Sequence, residues 1–167
     1  KSINKNCSII NISKTPDFLD FIDPENVIEI WDDSIHLNKF KEIDLAIIFD
    51  IGDYKRLGEV AKCIKKHHIY SVSIDHHPYD GHFFDLPLVD ISYPATGQMV
   101  WDFLQFNKLN NMSTVQATAL YAALITDTGS FRYSSTNSDS HKMASNLLRC
   151  GVEPYTVYES IYERRSR

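Results

Sequence analysis

The sequence has few cysteines, no long apolar run and no secretory signal, and each absence excludes a class of protein. Its three cysteines, Cys7, Cys63 and Cys150, are odd in number and form no C-x-x-C pair, so neither a disulfide framework nor a structural zinc site is indicated. No apolar segment is long enough to cross a bilayer, and the first residues lack the layout of a secretory signal. We therefore expect a soluble, cytoplasmic protein with no membrane partner.

The sequence also lacks an excess of basic residues. Its net charge is −5, from 17 basic and 22 acidic residues. A protein that binds long duplexes normally has a basic face that displaces counterions, so no long duplex is expected as a partner. A short nucleic acid or a small phosphorylated nucleotide is still compatible, because a metal ion or a few arginines can hold an anion without a broad basic surface.

What is present is a chain of 167 residues, 43% of them hydrophobic, which is enough for one domain with its own core. Short apolar runs at 7–12, 43–50, 69–75 and 88–91 are typical of strands buried on both faces. Between and after them, helices are predicted over 53–68, from Thr96, from Ser113, over 138–151 and over 154–165. This alternation predicts an α/β fold, a three-layer arrangement of a mostly parallel sheet with helices on both faces.

Local signals mark the ends of several helices. Ser113 and Gln116 have the spacing of a capping box. Gly151 stands at the usual left-handed position after a helix, and Pro154 falls where a first-turn proline is tolerated. In the helix after Thr96, the apolar face is predicted to consist of Met99, Val100, Phe103 and Leu104.

Acids and histidines stand where three of these elements end. Asp50 and the Asp75-His76-His77 triplet follow strands, and ligands of α/β sheets collect outside the carboxyl ends of strands. Asp127 ends an apolar helix, where the helix dipole disfavours a carboxylate and a nearby cation would relieve it. Asp50, His76 and Asp127 therefore form an O, N, O set suited to one divalent ion such as Mn²⁺, Mg²⁺ or Fe²⁺.

Each of these residues also has an ordinary structural explanation. Asp50 could begin a turn and Asp127 an Asx-turn, and a single histidine at a strand end is more often a surface residue than a ligand. Two histidines after an acid are harder to explain in this way, and Asp75 could fix the tautomer of a ligating imidazole. Arg56 and Arg132 are candidates for binding phosphate, although each is more often a solvated side chain.

Three segments together resemble the DHH phosphoesterase family. IDHHPYD is similar to the motif that names the family, FDIGDYKRLG to the acid motif before it, and TDTGSFRYSSTNSDSHKMASNLL to its fourth motif, in the same order. Between them, YPATGQMVWDFL resembles the branch of nanoRNases that also dephosphorylate 3′-phosphoadenosine 5′-phosphate.

The resemblance implies a phosphoesterase with two divalent ions, Mn²⁺ first and Mg²⁺ as the alternative. It would hydrolyse short oligonucleotides, 3′-phosphoadenosine 5′-phosphate or both. Asp50 would bridge the two ions, and His76 and Asp127 would complete the site of one of them. His77 would contact the substrate phosphate and assist the leaving group, with Asp75 behind it. A homodimer is left open.

The sequence departs from the family pattern at both ends. Nothing before Cys7 resembles the family's Asp-rich first motif and first strand, and the chain stops at Arg167, before the family's smaller C-terminal domain. We therefore expect residues 1–152 to form part of a DHH catalytic domain. Residues 153–167 are expected to begin a helix that connects to a C-terminal substrate domain.

Alternatives stay open at this point. Within the same class they are a cyclic-dinucleotide phosphodiesterase, an exopolyphosphatase and a RecJ-like single-strand exonuclease. Outside it, a degenerate DHH module could sense a nucleotide without cleaving it. A nucleotide-binding sheet of another kind is weaker, because no G-x-G-x-x-G loop follows a predicted strand.

Overall fold

The structure is a computed structural model, which describes residues 5–79, 81–109 and 111–163. Those residues form five strands and six α-helices in an α/β order. The strands are β1 (Ile9–Asn11), β2 (Ile28–Ile30), β3 (Leu45–Phe49), β4 (Tyr70–Asp75) and β5 (Leu86–Val89). The helices are α1 (Asp33–Lys39), α2 (Glu59–His67), α3 (Thr96–Phe106), α4 (Thr114–Asp127), α5 (Ser138–Arg149) and α6 (Pro154–Tyr158).

All strand pairs are parallel. β4 lies between β3 and β5, and Phe49 at the end of β3 pairs with Ile74 near the end of β4. β1 pairs with β2, a strand that the sequence analysis missed, and within the described residues this pair forms a sheet separate from β3. Parallel strands flanked by helices confirm the predicted α/β fold class. The register places the carboxyl ends of β3 and β4 side by side.

Two apolar cores hold these layers together. In the first, Ile48 of β3 packs with Leu57, Ala61 and Ile64, from α2 and the turn before it. On the opposite face of the same strand, Leu45, Ile47 and Phe49 are each about half exposed, at 48 to 50%. The second core lies among the C-terminal helices, where α3, α4, α5 and α6 contribute buried side chains, among them Trp101, Leu124, Leu147 and Val157.

The predicted helix ends are confirmed at three places. Ser113 and Gln116 form both hydrogen bonds of the capping box at the start of α4. Gly151 has a φ of +91° directly after the last turn of α5, and Pro154 occupies the first turn of α6. These signals are local, because they depend on backbone groups that a helix end leaves without partners.

Three helices differ from the prediction. The predicted apolar face of α3 is wrong at Phe103, which is 61% exposed, because Gln98 and Trp101 turn inward instead. The short α1 was not predicted. The helix expected over 154–165 continues from α6 as a π-helical turn, Glu159–Glu163, and its last two residues lie outside the described part of the chain.

No helix among the described residues combines the length and the apolar character that crossing a bilayer requires.

The C-terminal core gives a test of the packing with two adjacent leucines. Leu147 is fully buried, whereas Leu148 is 43% exposed. We expect Leu147→Ala to lower the free energy of unfolding by about 2–5 kcal/mol, because a buried cavity remains. Leu148→Ala is the matched control, with an expected change within about 1 kcal/mol. Urea denaturation monitored by circular dichroism measures both, and equal losses would contradict the assigned orientation of α5.

Candidate metal centre

The parallel register of β3 and β4 brings Asp50 next to the Asp75-His76-His77 triplet. Asp50 follows the last residue of β3, and its backbone N–H donates to the carbonyl of Ile74 at 3.1 Å, which continues the ladder by one residue. Its φ of +59° lies in the left-handed region, which aspartate tolerates better than most residues. The chain therefore turns away immediately after β3, and the carboxylate stays at the carboxyl edge of the sheet.

Asp127 reaches the same edge from the end of α4. Its Oδ2 lies 3.8 Å from Nε2 of His76, and Oδ1 of Asp50 lies 3.6 Å from the same nitrogen. Each acid of the predicted O, N, O set thus approaches the His76 ring, but among the described residues the cluster whose ligand atoms all lie within 4.8 Å of one another contains Asp50, His76 and His77 and not Asp127. Neighbouring ligands of an octahedral ion stand about 3 Å apart for bond lengths near 2.1 Å, so Asp50 and Asp127 would both have to move closer to His76 to hold one ion with it.

A backbone carbonyl fixes the orientation of the His76 ring. Its Nδ1 lies 3.1 Å from the carbonyl oxygen of Tyr93, to which it donates, and the side chain is 15% exposed. In the neutral imidazole this leaves Nε2 as an electron-pair donor, and it faces the carboxylates of Asp50 and Asp127. Three electron-pair donors that converge without a hydrogen atom between them form a site that fits a cation.

The raised pKa of Asp127 is consistent with a cation site. Burial, and then the negative charge of Asp50, raise the pKa of Asp127 from its ordinary value of 3.8 to about 6, although His76 and His77 act in the opposite direction. The ionised form of Asp127 is therefore disfavoured in the folded chain. A bound cation would offset that cost.

His77 has a different environment from His76. Oδ1 of the buried Asp75 accepts hydrogen bonds from the backbone N–H and from Nδ1–H of His77, both at 2.8 Å. The side chain of His77 is half exposed, and its Nδ1 lies 3.6 Å from Oδ1 of Asp50. Ligand atoms of Asp50, His76 and His77 all lie within 4.8 Å of one another. With Nδ1 held by Asp75, Nε2 of His77 has no hydrogen-bond partner among the described residues.

Known proteins resemble this chain in sequence and in structure. No protein-family model matches the chain. The chain is 32% identical over 124 residues to an uncharacterized protein of Mycoplasma pneumoniae. The aligned part is 74% of this chain and 37% of that protein. It is 26% identical over 135 residues to the bifunctional oligoribonuclease and PAP phosphatase NrnA of Bacillus subtilis, with 77% of this chain and 41% of that protein covered. The NrnA match supports a phosphoesterase of the DHH family over part of the chain.

One further sequence relative supports the DHH resemblance, and one solved structure shares the fold. The probable bifunctional oligoribonuclease and PAP phosphatase NrnA of Streptococcus mutans is 38% identical over 80 residues, with 48% of this chain and 26% of that protein covered. The solved structure of an exopolyphosphatase-related protein of Bacteroides fragilis has a TM-score of 0.87 at 24% identity, over 96% of this chain and 48% of that one, and shows a shared fold. This chain thus spans less than half the length of each of these proteins.

The two arginines that are candidates for binding phosphate lie in different turns. Arg132 is in the turn after Asp127, where its Nε donates to the carbonyl of Gly129 at 2.8 Å. Three successive residues of that turn, Gly129, Ser130 and Phe131, have positive φ. Arg56 is exposed in the 3₁₀ turn Tyr54–Leu57. Within the described residues neither arginine forms an ion pair with a carboxylate.

Two groups that hold the site in place were not predicted from the sequence. Thr96, at the start of α3, is buried and donates from Oγ1 to Oδ1 of Asp50 at 2.8 Å. Tyr93 contributes its backbone carbonyl to His76. A carbonyl leaves no trace in the residue type, so no sequence signal identifies Tyr93. For Thr96, the signal was a hydroxyl residue at the start of a helix, which is usually explained as a cap.

Proposed function

We propose that this chain carries the catalytic site of a metal-dependent phosphoesterase that hydrolyses short oligonucleotides, 3′-phosphoadenosine 5′-phosphate or both. The observation that carries the proposal is the position of His76, whose Nε2 lies between Asp50 and Asp127 while its Nδ1 is held by Tyr93. Relatives named as oligoribonucleases and PAP phosphatases support the substrate class. The absence of a basic excess in the sequence favours a short substrate over a long duplex.

The group that fits the donors is a divalent cation. Carboxylate oxygens with one imidazole nitrogen suit Mn²⁺, with Mg²⁺ as the alternative. Asp50, His76 and Asp127 would hold one ion, and Asp50 would also be a ligand of the second. When bound, such a pair supplies Lewis acidity, which makes water a better nucleophile and offsets negative charge on a leaving oxygen.

The residues of the chain have separate tasks in this proposal. Hydrolysis forms a bond between water oxygen and phosphorus and breaks the bond between phosphorus and the leaving oxygen. In its doubly protonated form His77 donates Nδ1–H to Asp75, contacts the phosphate through Nε2–H and gives that second proton to the leaving oxygen. The proton that the attacking water releases restores the protonated ring. Arg132, in the turn after Asp127, contributes to substrate binding through the N–H groups that Gly129 does not occupy.

The assigned groups all lie within residues 1–152, which we propose as the catalytic part of the sequence. We further propose a cytoplasmic location. The three cysteines are free, and free thiols persist most readily in a reducing compartment.

The test is hydrolysis by the protein expressed in full from its gene. The substrates are the dinucleotide pApA and 3′-phosphoadenosine 5′-phosphate, each with Mn²⁺, with Mg²⁺ and with excess EDTA. We expect Mn²⁺-dependent release of AMP from one or both, and no release in EDTA. Undiminished release in EDTA would contradict the metal assignment. No release from either substrate under any metal condition would contradict the proposed function.

A further inference from the structure

We infer that Thr96 is a positioning residue for Asp50, and that the first turn of α3 holds Asp50 and Asp127 in place relative to each other. This inference deepens the proposed function and rests on it. Thr96 acts through a carboxylate, and nothing in the sequence motifs assigns it a role. The inference depends on three contacts made by three successive residues, Thr96, Gly97 and Gln98.

The first contact is the hydrogen bond from Thr96 to Asp50. Asp50 is half exposed in a left-handed turn, so its side chain has freedom that a neighbour must remove. Among the described residues, Thr96 is the only side chain that donates a hydrogen bond to this carboxylate. Thr96 itself is 4% exposed, and a hydrogen bond from a buried hydroxyl to a charged acceptor is short and strong. It therefore fixes Oδ1 of Asp50 in the direction of His76.

The second contact joins α3 to the helix that carries Asp127. A Cβ atom placed on Gly97 would lie 2.8 Å from Cβ of Ala123, closer than real side chains approach. Helix α3 therefore meets α4 at a point where only glycine fits. Ala123 and Asp127 are four residues apart and share one face of α4. The position of α3 thus sets the position of that face, one turn before the acid.

The third contact anchors the same turn to α5. Gln98 and Ser140 are both buried, and Oγ of Ser140 lies 3.1 Å from Oε1 of Gln98. Asn137, which caps α5, also lies 3.1 Å from this hydroxyl through its Oδ1. Buried polar groups that bind one another resist displacement, because breaking the contact leaves an unpaired group in the interior. The turn that carries Thr96 is therefore held on the side away from the site.

The experiment measures Mn²⁺ affinity by electron paramagnetic resonance of free Mn²⁺, titrated into the chain and its variants. Thr96→Val keeps the shape of the side chain and removes the donor, and Thr96→Ala removes the donor without a bulky replacement. We expect either variant to lower the affinity about 10- to 100-fold, as loss of a group that orients a ligand does. Thr96→Ser retains the hydroxyl, and we expect an affinity within about threefold of the unaltered chain.

The matched control is Thr114→Val. The exposed Thr114 donates to the carbonyl of Cys150 at 3.0 Å, at the opposite end of α4 from Asp127. We expect this variant to lose a hydrogen bond without losing Mn²⁺ affinity. Urea denaturation in EDTA supplies a readout that needs no metal, and we expect Thr96→Val and Thr96→Ser to differ in Mn²⁺ affinity by far more than they differ in stability.

The outcomes separate this inference from the proposed function. Normal Mn²⁺ affinity in Thr96→Val or Thr96→Ala would overturn the positioning role alone. An equal loss in Thr96→Ser would also overturn it, because the retained hydroxyl would then have no effect. Failure of the unaltered chain to bind Mn²⁺ would overturn this inference, whereas the proposed function is overturned separately, by absence of hydrolysis under every metal condition.

Discussion

Asp50→Asn is expected to lower Mn²⁺ affinity and the rate of hydrolysis by more than about 100-fold. This loss exceeds the one expected when a residue that only orients a metal ligand is replaced. The amide keeps the size of the side chain and tolerates the left-handed φ of +59°. It removes the negative charge that faces His76 at 3.6 Å. Asp50 is the residue that we assign to bridge two ions, so its replacement weakens both positions at once. Mn²⁺ titration and hydrolysis of pApA by the full-length protein measure the two effects.

Asp53→Asn is the matched control for this substitution. Asp53 lies three residues further along the same turn, is exposed, and accepts a hydrogen bond from the backbone N–H of Lys55 at 2.9 Å. Asparagine can still accept that bond. We expect Mn²⁺ affinity and activity within about twofold of the unaltered protein. Equal losses in the two variants would indicate a general effect of negative charge in this turn and contradict the assignment of Asp50.

Asp127→Asn is expected to have opposite effects on stability and on metal binding. The pKa of Asp127 is raised by burial and by Asp50 to about 6, above its ordinary value of 3.8. The folded chain therefore favours the protonated acid. This preference stabilises the chain below pH 3.8 and is lost as the pH rises through 6. At pH 7.5 the buried charge costs up to about 3 kcal/mol, and asparagine removes that cost.

Urea denaturation in EDTA tests the sign of this effect. We expect Asp127→Asn to be more stable than the unaltered chain by about 1–3 kcal/mol at pH 7.5, and by about half as much at pH 5. In the same preparation, Mn²⁺ affinity should fall more than about 100-fold. A variant that is less stable at pH 7.5 would contradict the raised pKa of Asp127. A more stable variant with unchanged affinity would exclude the residue from the metal site.

Much of the fold was predictable because its signals are local. The run at 43–50 is apolar without a break from Leu45 to Phe49 and ends in an acid, so it predicts β3 and places Asp50 at its end. Capping residues such as Ser113 predict helix starts for the same reason. The missed elements β2 and α1 are three and seven residues long, too short for a periodic pattern to stand out.

The site was predictable as far as parallel pairing determines it. Strands that run side by side bring Asp50 and His76 to one edge whatever the loops do between them. The supporting contacts were not predictable, because they depend on how elements pack. Asp75 could have fixed the ring of His76, yet it binds His77, and the Tyr93 carbonyl takes the other role. The buried face of α3 likewise follows from packing against α4 and α5, which is why Phe103 was assigned to the wrong side.

Anomalous diffraction from crystals of the chain soaked in Mn²⁺ tests the central claim most directly. The account predicts a manganese peak within bonding distance, about 2.2 Å, of a carboxylate oxygen of Asp50, Nε2 of His76 and a carboxylate oxygen of Asp127. In that structure Nδ1 of His76 should still donate to Tyr93. A saturating soak that leaves this position without a peak, or places the ion where His76 is not a ligand, would contradict the account.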